Sequence, residues 1–236
     1  MAAEMKVTAL IVCAGRGTRM GPGAPKQYRR LGAMPVLRHT ALAFLGHPDV
    51  TEIAVVIHRD DVALYEEATR GLAVLPPVSG GATRDESVRL GLEALAATSP
   101  DRVPPDRVLI HDGVRPFVTA QTISAVIAAL EEGEAAIAAM PVFDTIKSAD
   151  AGVITGTIDR SILWRAQTPQ AFRFGTILEA HRAVAGRRDL PPVTDDASVA
   201  EALGIPVRIV HGSEDAFKIT TEADLRRAER HLRGDE

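Results

Sequence analysis

Residues 7–25 read VTALIVCAGRGTRMGPGAP, and the way this stretch divides decides the fold. Val7–Cys13 is an unbroken β-favouring run, the pattern of a strand buried on both faces. The loop that follows, residues 15–25, holds four glycines and two prolines. A dinucleotide fold needs G-x-G-x-x-G opening straight into a helix. Here the third glycine, Gly21, comes one position late, and Pro22 and Pro25 prevent immediate helix continuation. No Gly-Lys-Ser/Thr follows, which removes a P-loop. What remains is a glycine loop whose backbone N–H groups can approach phosphate closely, with Arg19 and Lys26 to neutralise it. The charge pattern agrees. Residues 7–48 contain no Asp or Glu, where about five would be expected at the chain's own frequency, yet Arg16, Arg19, Lys26, Arg29, Arg30 and Arg38 all fall there.

Working outward, strand patterns recur at 53–57, 108–110, 135–140 and 207–210, with a shorter one expected at 72–78 and another near Leu163. Helical patterns alternate with them. One ends at Gly46, one covers 60–69, and others carry Val88, Gly91, Leu92 and Leu95, or Ile123, Val126, Ile127 and Leu130. Three more are expected over 177–184, over 197–203 and from Glu222. This alternation predicts an α/β fold, a mostly parallel sheet with helices on both faces, in one domain over residues 1–236. Residues 143–160 break the rhythm. Thr145, Ile146, Val153, Ile154, Thr155, Thr157 and Ile158 flank an Asp-Ala-Gly turn, which reads as an inserted β-arm.

A chain of 236 residues can bury a full core without staples, and with 46% hydrophobic but only 4% aromatic residues that core must be aliphatic. A net charge of −4 argues against a polybasic nucleic-acid or membrane-surface protein. The single cysteine, Cys13, excludes an internal disulfide framework and fits a reducing compartment. No apolar run approaches the roughly 18 residues of a membrane span, and Glu4 and Lys6 ahead of a short apolar run do not make a secretory signal. The expectation is a soluble cytoplasmic enzyme acting on small molecules, with neither nucleic acid nor membrane as partner.

The segment His111-Asp112-Gly113-Val114-Arg115-Pro116 sits at the C-terminal end of an expected strand, where open α/β sheets bind ligands. Asp112 is there a candidate ligand for a Mg²⁺ ion that bridges triphosphate oxygens. The seven histidines form no H-x-H or H-x-x-x-H pair, so zinc is not expected. Cys13, inside a strand, reads as a small core residue, and Ser87 lacks a G-x-S-x-G elbow.

Ala14-Gly15-Arg16-Gly17-Thr18-Arg19-Met20 and Pro25-Lys26-Gln27-Tyr28 resemble the opening signature of the small nucleotidyltransferases. Gly80-Gly81-Ala82-Thr83-Arg84-Asp85-Glu86-Ser87-Val88, the Asp112 segment, Val142-x-Asp144-Thr145-Ile146-Lys147 and Asp159-Arg160-x-x-Leu163-Trp164-x-x-Gln167-Thr168-Pro169-Gln170 narrow it. With Thr194-Asp195-Asp196-Ala197-Ser198 and Phe217-Lys218-Ile219-Thr220, the set is similar to the 2-C-methyl-D-erythritol 4-phosphate cytidylyltransferases of non-mevalonate isoprenoid synthesis, from Val7 to the last helix.

The resemblance implies a Rossmann-like nucleotidyltransferase fold that moves CMP from CTP to a polyol phosphate, with Mg²⁺ or another divalent cation as cofactor. It implies catalytic roles for Arg19, Lys26 and Lys218. Ala14, Gly15, Gly17, Gly80, Gly81, Ala82, Arg84, Ser87, Asp112 and Gly113 would contact CTP. Arg115, Thr145, Arg160, Thr168 and Thr194 would contact the second substrate, and the arm would embrace a homodimer partner. Two departures stand out: Cys13 replaces a smaller residue, and Gly113-Val114 replaces the commoner Ala-Ala. Some relatives carry a fused cyclodiphosphate synthase, which the pattern read here does not include. A cytidylyltransferase for another alditol phosphate, a catalytically silent nucleotide-binding subunit and an NAD-dependent oxidoreductase are the rival readings.

Overall fold

Residues 7–13 form strand β1 (Val7–Cys13), which has hydrogen-bonded neighbours on both edges. The structure is a computed structural model that describes residues 5–16, 23–97, 103–187, 189–190 and 193–234. After β1 come β2 (Arg30–Leu31), β3 (Met34–Pro35), α1 (Val36–Leu45), β4 (Glu52–Ile57), α2 (Val62–Thr69), β5 (Val78–Ser79) and α3 (Arg84–Ala96). They are followed by β6 (Arg107–Asp112), α4 (Ala120–Ala129), β7 (Ala135–Pro141), β8 (Ile146–Asp150), β9 (Val153–Ile158) and β10 (Trp164–Arg173). The chain continues through α5 (Phe174–Val184), α6 (Asp196–Glu201) and β11 (Val207–His211) to α7 (Glu222–Arg233).

Among the described residues seven strands form the main sheet in the order β11-β7-β10-β6-β1-β4-β5. β10 runs antiparallel to both its neighbours, and the other pairings are parallel. The alternation of side chains along β1 assigns its two faces. Val7, Ala9, Ile11 and Cys13 join a core covered by Leu37 and Phe44 of α1, Tyr65 of α2 and Ile123 and Val126 of α4. Leu10 faces the opposite core, with Val88 and Leu92 of α3, Ile177 of α5 and Val199 of α6. The doubly covered, mostly parallel sheet expected from the alternation is what forms.

Three elements differ from expectation. The strand expected at 72–78 shrinks to Val78–Ser79, because Pro76 and Pro77 have no N–H to give the ladder; the Leu75 N–H still donates to the Ile53 carbonyl at 2.8 Å. The helix expected over 60–69 opens with a 3₁₀ turn, Arg59–Asp61. The strand near Leu163 is ten residues long and becomes the antiparallel member of the sheet.

The arm is β8 paired with β9 through the turn Ala151-Gly152, whose φ angles of 45° and 84° are the left-handed pair a two-residue hairpin turn requires. Ile146 is half-buried, while Val153 and Ile154 stay in solvent, 69% and 64% exposed.

One close approach ties the two departures together. A Cβ built on Gly113 would overlap the Cys13 sulfur, and Ile11 Cγ2 lies 3.1 Å away. Cys13 thus fills the space that an alanine at 113 would need. Gly113→Ala is expected to destabilise the fold by about 1–3 kcal/mol through overpacking. Cys13→Ala in that background should recover most of the loss. Urea unfolding of the two single variants and the double variant checks this, and additive losses would contradict the contact.

Candidate active site

The C-terminal ends of β1 and β6 open into a cleft of about 210 Å³. It is lined by Val12 and Cys13 of β1 and Ala14 and Gly15 just beyond it, by Lys26 and Gln27, by residues 81–84 and Ser87, and by Asp112, Val114 and Lys218. Gln27, only 2% exposed, holds the first wall in place: its Nε2 donates to the Cys13 carbonyl at 2.7 Å and the Gly15 carbonyl at 3.1 Å. That clasp fixes the 3₁₀ turn Lys26–Tyr28, and with it Lys26, against the end of β1.

The opposite wall is the loop ahead of α3. Thr83 caps the helix by accepting from the Glu86 N–H at 3.3 Å. The Ser87 hydroxyl donates to the Thr83 carbonyl at 2.8 Å and accepts from the Gly81 N–H at 3.1 Å. Glu86 accepts from the Ala82 N–H at 2.8 Å. Gly80 packs so tightly that a Cβ there would lie 2.8 Å from Ser87 Oγ and would overlap Ala14 as well. The Ser87 hydroxyl spends its proton inside the loop while its side chain lines the cleft.

Asp112 lies at the junction of this cleft with a second one of about 240 Å³, which Arg84, Asp112 and Lys218 also line. The second cleft adds Arg115, Ala166, Gln167, Thr168, Gln170, Thr194 and Asp195. Three cations converge on the 7% exposed Asp112: Lys218 Nζ at 2.9 Å, Arg115 Nε at 3.4 Å and Arg84 Nε at 3.6 Å. Burial alone would raise the Asp112 carboxyl, but Lys218, Arg84 and Arg115 overturn that and hold it well below the usual carboxylate range. Arg84 reaches back to a second buried carboxylate, donating to Asp196 Oδ2 at 2.8 Å. Arg115 also donates to the Ala216 carbonyl at 2.8 Å, which ties the turn after β6 to the segment that carries Lys218.

Thr168 sits on β10 beside this cluster. His111 Nε2 lies 3.1 Å from the Arg115 carbonyl and therefore carries the ring proton, so Nδ1 accepts the Thr168 hydroxyl at 3.0 Å. The same hydroxyl oxygen accepts from the Asp112 N–H at 3.1 Å. Thr168 keeps no proton for a ligand; it locks Asp112 to β10.

The structure therefore gathers Ala14, Gly15, Lys26, Gly81, Ala82, Arg84, Ser87, Asp112 and Lys218 at the first cleft, and Arg115, Thr168 and Thr194 at the second. Gly80 and Gly113 pack behind the walls. Thr145 and Arg160 line neither cleft of their own chain; both are exposed at the base of the arm, where Arg160 donates to the Phe143 carbonyl. Gly17 and Arg19 lie outside the described residues. The bracing amides of Gln27 and Gln170 and the buried Asp196 were quoted in the motifs without a role, since nothing in spacing alone separates a brace from a ligand.

Among the described residues no three His, Cys, Asp or Glu side chains gather as a metal site. Asp112 is a single carboxylate already surrounded by three cations. This donor set does not fit a resident divalent ion held by protein alone.

A family model described as 2-C-methyl-D-erythritol 4-phosphate cytidylyltransferase (IspD) matches residues 7–234. A bifunctional enzyme IspD/IspF from Rhodospirillum rubrum is 54% identical over 231 residues, covering 98% of this chain and 58% of the relative. Its counterpart from Gluconobacter oxydans is 48% identical, covering 95% of this chain and 56% of the relative. The chain thus spans a little over half the length of these curated relatives. Among solved structures, 2-C-methyl-D-erythritol 4-phosphate cytidylyltransferase from Thermus thermophilus is 34% identical with a TM-score of 0.78, covering 97% of this chain and 100% of that one. The 4-diphosphocytidyl-2C-methyl-D-erythritol synthase of Anaerococcus prevotii has a TM-score of 0.82 at 30% identity, covering 98% of this chain and 97% of that one.

The buried His111 gives the cluster a pH signature. Burial pushes its imidazole down to about 4, against opposing help from the Arg115 carbonyl and Asp112. The unfolded chain, with histidine near 6.5, takes up the proton first, so stability falls as pH drops through the window from about 6.5 to about 4. Asp112, held low, extends the loss below the ordinary carboxylate range. His111→Gln is expected to remove about 2 kcal/mol of the stability change between pH 7 and pH 5. Urea melts at both pH values, with equal differences in wild type and variant, would contradict it.

Proposed function

Because this chain belongs to the 2-C-methyl-D-erythritol 4-phosphate cytidylyltransferase family, we propose that it transfers CMP from CTP to 2-C-methyl-D-erythritol 4-phosphate and releases pyrophosphate. The observation that carries this reading is the pair of clefts meeting at Asp112 among Arg84, Arg115 and Lys218, with Lys26 in the first cleft. One cleft is walled by glycine-loop backbone suited to a nucleotide, and the other by Arg115 and Thr194 suited to a phosphate ester. The α-phosphate and the incoming phosphate would meet over the shared cations.

A phosphate-monoester oxygen attacks the α-phosphorus, the bond to the bridging oxygen breaks, and the electron pair leaves with pyrophosphate. The monoester has its second pKa near 6, so it is largely dianionic at neutral pH and needs no general base. The barrier is mainly repulsion between an anion and a polyanion, and fixed cations lower it by positioning and charge stabilisation. Lys26 and Lys218 serve the α-phosphate, and Arg115 orients the attacking ester. Asp112, permanently ionised, holds Lys218 and Arg115 at hydrogen-bonding range. Magnesium enters with the triphosphate as part of the substrate rather than as a resident ion. Cytosine is selected by loop carbonyls that accept from its amino group, a donor that uracil lacks.

We also infer a homodimer whose arm completes the partner's second cleft. An isolated two-stranded hairpin is marginal in water, and this one exposes Phe143, Val153, Ile154 and Ile162. Thr145 and Arg160, two of the arm's polar residues, sit away from their own clefts, which favours service in trans.

A pyrophosphate-release assay over CTP, UTP, ATP and GTP against methylerythritol, ribitol and erythritol phosphates tests the reaction. CTP with the methylerythritol phosphate should exceed every other pair by at least about tenfold in kcat/KM; equal turnover of UTP would sink the pocket assignment. The dimer is tested by dissociating and reassociating Lys26→Ala with Arg160→Ala subunits. Random pairing should restore roughly a quarter of wild-type activity, since each heterodimer keeps one intact site. Heterodimers that form without recovery would refute the shared site.

A further inference from the structure

We propose that Asp196 is a positioning residue for the transfer step, acting through Arg84. The inference rests on the transferase reading above and adds to it a carboxylate that touches neither cleft. Asp196 is fully buried at the start of α6. Its Oδ2 accepts from Arg84 Nη2 at 2.8 Å, while Oδ1 faces the buried His181 Nε2 at 3.2 Å without a hydrogen bond between them. Its backbone is pinned as well. Gln170 Oε1 accepts from the Asp196 and Ala197 N–H groups, both at 2.9 Å, and Gln170 Nε2 donates to Asp195 Oδ2 at 2.8 Å.

Arg84 comes from a different part of the chain, the first residue of α3 behind the nucleotide loop. Its guanidinium is strung between two buried carboxylates, Asp196 behind and Asp112 in front, at 2.8 Å and 3.6 Å. A long, flexible cation next to a triphosphate would otherwise swing toward the phosphates and abandon Asp112. The rear anchor prevents that. It also links the wall of the nucleotide cleft to the Thr194-Asp195 wall of the second cleft, so the two substrates are held in one frame.

The anchor is worth more to the reacting geometry than to nucleotide affinity. Neutralising it frees Arg84 to contact phosphate, which strengthens ground-state binding while spoiling the alignment of Lys218 and Arg115. In Asp196→Asn, CTP affinity by calorimetry should stay within about threefold of wild type or tighten, while kcat falls about ten- to a hundredfold. In an Arg84→Met background, the same Asp196→Asn change should add nothing to the loss of kcat, because the residue through which it acts is gone.

Wild-type kcat in folded Asp196→Asn, or an equal loss in both backgrounds, overturns the proposal. So does weakened CTP binding in step with the loss of kcat, the mark of a purely structural role. If the single variant does not fold, Arg84→Met against the double variant still decides, since the double variant leaves neither buried charge of the pair unmatched. A wild-type chain that turns over no CTP overturns the transferase reading and this inference with it. A working wild type with an unaffected Asp196→Asn overturns the inference alone.

Discussion

A carboxylate withdrawn from water needs cations or N–H donors around it to stay ionised, and at Asp112 this protein meets that demand with three cations. Its three partners come from the start of α3, the turn after β6 and the segment after β11. None of the three stretches is near another in sequence, yet each must arrive within ion-pairing range. The lengths of the helices and the crossings of the sheet are, in this sense, the means of delivering Arg84, Arg115 and Lys218 to one strand end. The cluster keeps an excess of positive charge even with Asp112 counted, and that excess is what a pair of phosphorylated substrates can neutralise.

Hydroxyls and amides around the cluster are used for bracing rather than for ligands. Ser87 closes its own loop, Thr168 joins Asp112 to His111, and Gln27 and Gln170 each clamp backbone groups on a neighbouring segment. Such bonds are made before any substrate arrives, so the cations need little reorganisation at the moment of reaction. Chemistry then rests on charges whose positions are set by residues that never touch the reacting atoms.

The strands of the sheet could be read from apolar runs, since a doubly covered parallel strand has nothing but apolar neighbours. Gly15 and the basic, acid-free stretch around Lys26 marked the first cleft for a similar reason: close backbone approach and net charge leave their mark in composition. Direction was harder. Nothing in the residues of β10 says that it runs against its neighbours, because that depends on the long detour through the arm. The short β5 was over-read, as Leu72 to Leu75 supplied the right residue types and the two prolines the wrong donors. Thr168 and Ser87 line the clefts and also brace their surroundings, a second role that spacing does not show, since a hydroxyl's partners are chosen by three-dimensional geometry. Asp196 stood in a quoted motif with nothing to mark its role: an acid beside another acid at a helix start reads as a cap, and its neighbour Asp195 is one.

β10 has a consequence for synthesis on the ribosome. It lies between β6 and β7, so β7, which emerges earlier, has a vacant edge toward the sheet until residues 164–173 appear. A nascent chain halted before that point holds β1, β4 and β6 together but leaves β7 and the arm unattached, with backbone donors and acceptors open to other chains. Bridging of β6 to β7 and the docking of Thr168 onto Asp112 are then a single late event, with β11 and Lys218 still to come. The cleft is assembled by the last third of the chain rather than by the glycine loop that announces it, and a truncated translation product would carry most of the nucleotide wall with no means of acting on what it binds.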